Sequence, residues 1–179
     1  MENNMKLSAK SLALVGMFSA LIAVFSQISI PLPAGVPITL QTLGIALCGY
    51  ILGWKLGIFS IGAYILLGSI GIPVFANFKS GINILFGMTG GFIWGFIFMT
   101  LIFGIAKKYN NKFLCISLGI IGLLICHLLG VLQFSLLSGN SIKQSIIVAS
   151  LPFIIKDIVS IIIAYFISIN INKKLKSIY

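Results

Sequence analysis

Six apolar runs divide the chain, at 11–30, 38–53, 56–72, 91–106, 113–137 and 151–171, and each is bounded by turn-forming or lysine-bearing residues. Most approach the ~20 residues that an α-helix needs to cross a hydrocarbon core. The pattern therefore predicts an all-α integral membrane protein, one domain over residues 1–179 with six transmembrane helices. The first run is longer than the apolar core of a signal peptide and lacks a small-residue cleavage site, so it is expected to be retained. PLPAGVP (31–37) carries three prolines and a glycine, which force a turn and set Pro37 as the first residue of the second helix. GWKLG (53–57) reads as a tight turn with Trp54 at the interface, and 138–150 as a polar connector carrying Lys143.

The stretch PVFANFKSGINILFGMTGGF, Pro73 to Phe92, fits neither class. Pro73 stops the run before it, and Gly81, Gly87, Gly90 and Gly91 weaken helix continuity. Lys79 and Asn83 would be costly against lipid. Yet Val74, Phe75, Phe78, Ile82, Ile84, Leu85 and Phe86 are too apolar for a solvated loop. Irregular, apolar backbone at a membrane is tolerated where it packs on protein or lines a cavity. The segment 73–90 is read as an outer lid folded over a pocket, with a long structural connector as the alternative.

Composition strengthens the membrane reading. Of 179 residues 59% are hydrophobic and 8% charged, with a mean hydropathy of +1.18. A soluble domain carries about 25% charged residues, so this chain could not cover a water-facing surface. The formal charge of +10 is not a nucleic-acid footprint, because the lysines are not clustered with stacking aromatics. They fall between the runs instead. With six spans, Lys6, Lys10, Lys55, Lys107, Lys108, Lys112, Lys173, Lys174 and Lys176 share one side, against Lys79 and Lys143 in connectors on the other. The positive-inside rule makes the lysine-rich side, and both termini, cytoplasmic. The lid, the PLPAGVP turn and the start of the sixth helix then face outward. Cys48, Cys115 and Cys126 lie inside apolar runs without a CxxC, so neither a disulfide framework nor a metal site is expected.

Candidate chemistry is sparse. Asp157 is the only acid near the bilayer, and an ionisable group inside a span is a functional hypothesis by default. It lies five residues past Pro152, roughly 7–8 Å of helix rise below the outer mouth. Phe153, Asp157, Ser160, Ile161 and Ala164 share a stripe suited to a pocket wall. Lys156 is adjacent and points about 100° away, so it is not read as a face-to-face partner of Asp157; its ammonium is left to reach the headgroups or an anionic ligand at the rim. Thr39, Gln41 and Thr42 open the second helix, where they cap it or face a ligand. His127 is mid-span with no acid at helical spacing and reads as a packed, hydrogen-bonded histidine. In the first run Ala13, Gly16 and Ala20, with Ala9, form a stripe of small residues, fit for internal packing or for docking onto another subunit. No nucleotide-binding loop, nucleophile elbow, HExxH or carboxylate pair is present, so no enzyme is expected and any power for uptake must come from partners.

VPITLQT (36–42), GIPVFA (71–76), the G-x-TGG-F of 87–92 and an Asp shortly after LPF (151–153) resemble, in the same order and over nearly the whole chain, the BioY family. These are the biotin-binding S components of energy-coupling-factor transporters. The resemblance implies a six-helix S-component bundle with an outward pocket for biotin, the transported ligand, and no cofactor. It implies docking, chiefly through the stripe of Ala13, Gly16 and Ala20, onto a transmembrane coupling protein driven by two ATPases, in a prokaryotic plasma membrane. It draws Thr89, Gly90 and Gly91 into the ligand site. Two departures stand out: Met88 replaces the proline of the family's GPTGG, and Lys156 precedes the Asp where the family carries a lysine three residues after it, here Ser160.

The residues suit that ligand. Asp157 can accept from the ureido N–H groups, Asn83 or Gln41 can serve the carbonyl, and Lys79 or Lys156 can meet the carboxylate. An S component for another vitamin, or a small membrane enzyme built on His127 and Asp157, are the alternatives.

Overall fold

The computed structural model describes residues 8–33 and 35–177; Lys6 and the side chain of Lys176 lie outside what it describes. Six helices run through it, α1 (Ala9–Gln27), α2 (Gln41–Ser69), α3 (Gly90–Ala106), α4 (Lys112–Ser138), α5 (Ile142–Ala149) and α6 (Leu151–Ser177). Four of them, α1, α2, α4 and α6, are long and apolar enough to cross a membrane, and α3 is a shorter apolar helix. Large apolar side chains such as Leu12, Leu66, Phe98, Leu128 and Ile155 stand exposed along them, as lipid-facing residues would. The chain is a membrane protein.

Two predicted spans, 38–53 and 56–72, largely coincide with the two halves of the one helix α2, but α2 is not straight. Gly53 adopts φ 80°, ψ 177°, which breaks the helix. A straight helix would separate Gln41 and Tyr64, 23 residues apart, by about 35 Å; instead Gln41 Nε2 donates to Tyr64 Oη at 2.7 Å. The two arms, 41–52 and 54–69, therefore fold back on each other as a hairpin. Gly104 lets α3 pack into its bend, since a Cβ there would lie 2.1 Å from the Trp54 nitrogen. From Gln41 to Ile51 the first arm is buried except at Leu43. It is the central helix of the bundle, wrapped by the others, so it needs no full lipid-spanning length.

Three boundaries differ from the sequence reading. α1 stops at Gln27 and α2 begins at Gln41, because Ser29–Ile30 (β1) pairs antiparallel with Ile38–Thr39 (β2), in the register Ser29↔Thr39 and Ile30↔Ile38. Pro37 thus precedes a strand rather than opening a helix. The polar connector 138–150 contains α5, whose cap Ser141 accepts from the Gln144 nitrogen at 3.3 Å in an S-x-x-Q arrangement. α6 runs on to Ser177, past the predicted end at 171.

The core joins Tyr50, Tyr64, Ile45 and Ile61 of α2 to Ile22 of α1, Met99 and Phe103 of α3 and Ile161 of α6. At the bend, Lys107 Nζ donates to the Ile51 carbonyl and Asn172 Nδ2 to the Tyr50 carbonyl, at 3.1 Å for the latter. These contacts cap the end of the first arm and gather Lys55, Lys107, Lys108, Lys112 and Lys173 at one end of the bundle. The segment between α2 and α3 covers the opposite end. The small-residue stripe points out of the bundle: Ala13, Gly16 and Ala20 are exposed, and a Cβ at Gly16 would meet nothing within 4 Å.

Candidate functional site

Beneath the segment between α2 and α3 lies a cavity of about 810 Å³, counting space open at its mouth. Its floor and walls come from several elements, among them β2 and the turn before it, with Val36, Pro37 and Thr39. The first arm of α2 contributes Gln41 and Thr42, and the second arm contributes Tyr64. α3 contributes Phe92, Phe96 and Met99, α4 contributes Cys126 and His127, and α6 contributes Phe153, Lys156 and Asp157. The segment between α2 and α3 adds Phe75, Ala76, Lys79 and Ile84 to the lining. Aromatic and sulfur-bearing walls around a few polar groups are the usual make-up of a small-molecule site.

Asp157 is the electrostatic centre. It is buried, and its carboxylate is held from two sides: Lys156 Nζ donates to Oδ1, and His127 Nε2 lies 3.3 Å from Oδ2. A buried carboxylate is tolerated when its charge is paired and its oxygens hydrogen-bonded. The same Lys156 ammonium donates to the Thr39 carbonyl at 2.7 Å, tying α6 to β2. The Lys156 contact corrects the expectation drawn from helical spacing. The Cα vectors diverge, but the four-carbon stem is long enough to curl back, and burial of the acid rewards it for doing so. His127 completes a chain, with Nδ1 2.9 Å from Ser150 Oγ and its ring edge-on to Phe92 at a centroid distance of 5.8 Å.

Serine, histidine and aspartate in sequence suggest a hydrolytic relay, yet the arrangement differs from one. Asp157 meets Nε2 and Ser150 meets Nδ1, the reverse of the serine-hydrolase order, and Ser150 is not among the residues lining the cavity. Its hydroxyl meets the His127 ring on the side away from Asp157. Among the described residues no cluster of three or more His, Cys, Asp or Glu side chains could hold a metal ion. The cavity presents a charged acceptor, flanking cations, amide and hydroxyl groups, and apolar faces.

The sequence matches the BioY family over residues 1–177. The chain belongs to the BioY family. It is 38% identical over 165 residues to the biotin transporter BioY of Thermotoga maritima, covering 92% of this chain and 96% of that protein. To the probable biotin transporter BioY of Pyrococcus horikoshii it is 40% identical over 153 residues, 86% of this chain and 90% of that one. Its fold matches the crystal structure at 2.1 Å of the S-component for biotin from an ECF-type ABC transporter, with a TM-score of 0.84 and 29% identity, over 97% of this chain and 95% of that one.

Within this BioY-family fold the residues singled out in the sequence separate into two groups. Asp157, Lys156, Gln41, Thr39, Lys79 and Thr89 all line the cavity. Asn83, Gly90 and Gly91 are not among its lining residues. Asn83 is exposed on the lid. Gly90 and Gly91 serve close packing: a Cβ at Gly90 would fall 1.8 Å from the Leu85 oxygen, and one at Gly91 would fall 2.3 Å from the Leu129 oxygen of α4. The sequence reading set His127 beside Asp157 only in the enzyme alternative, and did not place Tyr64 or Phe96 at the site. The spacing along one helix does not assemble them, because Tyr64 reaches the cavity from α2, Phe92 and Phe96 from α3, and His127 from α4.

Proposed function

We propose that this chain is the substrate-capture component of a vitamin uptake transporter and binds biotin in the cavity beneath the lid. The observation that carries the reading is the buried Asp157 carboxylate, bracketed by Lys156 and His127 on the wall of an otherwise apolar cavity, in a BioY-family chain. Biotin combines a ureido ring with two N–H donors and a carbonyl, an apolar ring and chain, and a carboxylate. Asp157 accepts from the ureido N–H groups in a charge-assisted bond, with Lys156 shifting from it toward the ligand. Gln41, close to Tyr64, serves the ureido carbonyl, and Phe92, Phe96 and Phe153 enclose the apolar parts. Lys79 or Lys156 meets the carboxylate. The glycines of the TGG motif act at one remove, by seating α3 and the lid.

In the membrane the two arms of α2 count separately, giving six spans with both termini cytoplasmic. The gathered lysines at the bend support this orientation, which sets the lid and cavity outward in a prokaryotic plasma membrane. The outward stripe of Ala13, Gly16 and Ala20 is the docking surface for a transmembrane coupling protein powered by two ATPases. The deciding experiment is binding of radiolabelled biotin to the purified chain, with other vitamins as competitors. Saturable binding that only biotin displaces is expected. Displacement by a different vitamin would reassign the ligand, and chemical conversion of bound biotin would restore the enzyme reading.

A further inference from the structure

We infer that Gln27, the last residue of α1, is a positioning residue for ligand retention: its side chain clasps the lid shut although it does not touch the cavity. The Gln27 amide engages the lid backbone in both directions. Nε2 donates to the Pro73 carbonyl at 3.3 Å and the Phe75 carbonyl at 3.1 Å, while Oε1 accepts from the Phe78 nitrogen at 2.8 Å. Its neighbours on α1 and β1 reinforce the hold. Ser26 donates to the Val74 carbonyl, and Ser29 Oγ donates to Asn77 Oδ1 at 2.7 Å.

What the clasp holds is part of the cavity wall. Phe75, Ala76 and Lys79 line the cavity, and the Phe75 nitrogen donates to the Lys79 carbonyl at 3.0 Å, closing the loop between them. The Phe75 ring packs edge-on against Tyr64 at 5.5 Å. Asn77 and Phe78 sit at φ 60° and 55°, left-handed backbone that side-chain-bearing residues adopt only when their surroundings impose it. The amide of Phe78 is the one Gln27 Oε1 accepts from, so the clasp acts at the point of greatest backbone cost. The far end of the lid is fastened differently. Gln133 Nε2 of α4 donates to the Leu85 and Gly87 carbonyls at 3.0 and 2.7 Å, and Trp94 of α3 donates to Leu85 at 3.2 Å. That end adjoins the close glycine contacts between α3 and α4, whereas α1 packs on α2 with its outer face exposed. The lid therefore opens at the Gln27 end and hinges at the Gln133 end.

This rests on the cavity being the biotin site. The test is the release rate of radiolabelled biotin from the purified full chain, in Gln27→Leu and Gln27→Glu. Gln27→Leu, which removes all three contacts to the lid, should release biotin about tenfold faster with association no slower, the pattern of a dissociation-rate effect. Gln27→Glu keeps the acceptor for Phe78 and should fall between. A merely structural role would lower the melting temperature and leave release unchanged. A second arrangement does not depend on the stability of these variants: with Cys48, Cys115 and Cys126 replaced, Ser29→Cys with Asn77→Cys, joined by a short bifunctional thiol reagent or by oxidation, should slow release. Release at the wild-type rate in folded Gln27→Leu, or in the bridged pair, overturns the clasp. Failure of the unaltered chain to bind biotin overturns instead the assignment of the cavity, and the clasp's role with it.

Discussion

His127 Nε2 stands 3.3 Å from Asp157 Oδ2, joining the middle of α4 to the early turns of α6 across 30 residues of sequence. The contact does two things at once. It orients the carboxylate, whose other oxygen takes Lys156, and it fixes the imidazole, whose remaining nitrogen meets Ser150. The Asp157 carboxylate is therefore held in one orientation rather than several, and in the proposed role that would lower the ordering cost of binding.

Replacing Asp157 by Asn removes the charge and turns one acceptor into a donor. Biotin affinity should fall by ~2–4 kcal/mol, the cost of breaking a buried charged hydrogen bond. His127→Ala leaves the charge in place but frees Oδ2 and the ring space, so a smaller loss of ~1–2 kcal/mol is expected. Equilibrium binding by both purified variants checks the order. Affinity unchanged in Asp157→Asn would remove the carboxylate from the site, and a larger loss in His127→Ala than in Asp157→Asn would make the histidine the principal contact.

Why the sequence foretold some of this and not the rest has a physical cause. The apolar runs were legible because a lipid-facing helix must be apolar along its whole length, and the irregular segment between α2 and α3 because its glycines and proline contradict its hydrophobicity. Asp157 was legible because a charge in such surroundings is costly. The pairing of β1 with β2 was not, since two-residue strands leave no periodic signal beside PLPAGVP. α5 was missed because its polar flanks outweighed the capping pattern of Ser141 and Gln144. His127 is the packed, hydrogen-bonded histidine the sequence led one to expect, but its partners could not be named, because helical spacing looks only along one helix and they lie on and just before another. Lys156 went astray for a related reason: the direction of a Cα–Cβ bond says little about where a long flexible stem ends. The TGG glycines carried a family signal, but one that serves approach of backbones rather than a place on the cavity wall.

Orientation can be read from outside the cell. Ser80 lies on the lid between the cavity-lining Lys79 and the exposed turn at Ile82–Asn83. With the natural cysteines replaced, Ser80→Cys should react with an impermeant thiol reagent added externally, and react more slowly when biotin is bound, because binding orders the segment over the pocket. Labelling confined to the cytoplasmic side would reverse the topology. Labelling at equal rates with and without biotin would leave the segment as a connector rather than a lid.

As the proposed docking surface, the stripe on α1 should separate capture from delivery. Ala13, Gly16 and Ala20 are exposed, so a large side chain there meets no part of this chain and should leave the bundle and its cavity intact. Against a partner helix the same side chain would stand between two backbones that small residues allow to approach closely, and lipid offers no hydrophobic gain to compensate for the lost contact. Gly16→Trp or Ala20→Trp should therefore abolish biotin uptake in cells that hold the coupling protein and ATPases, while the purified variants bind biotin with wild-type affinity. Co-purification with the coupling protein should fall in step with uptake. If both variants lose binding along with uptake, α1 instead supports the cavity through that face; if uptake persists, the partner docks elsewhere on the bundle.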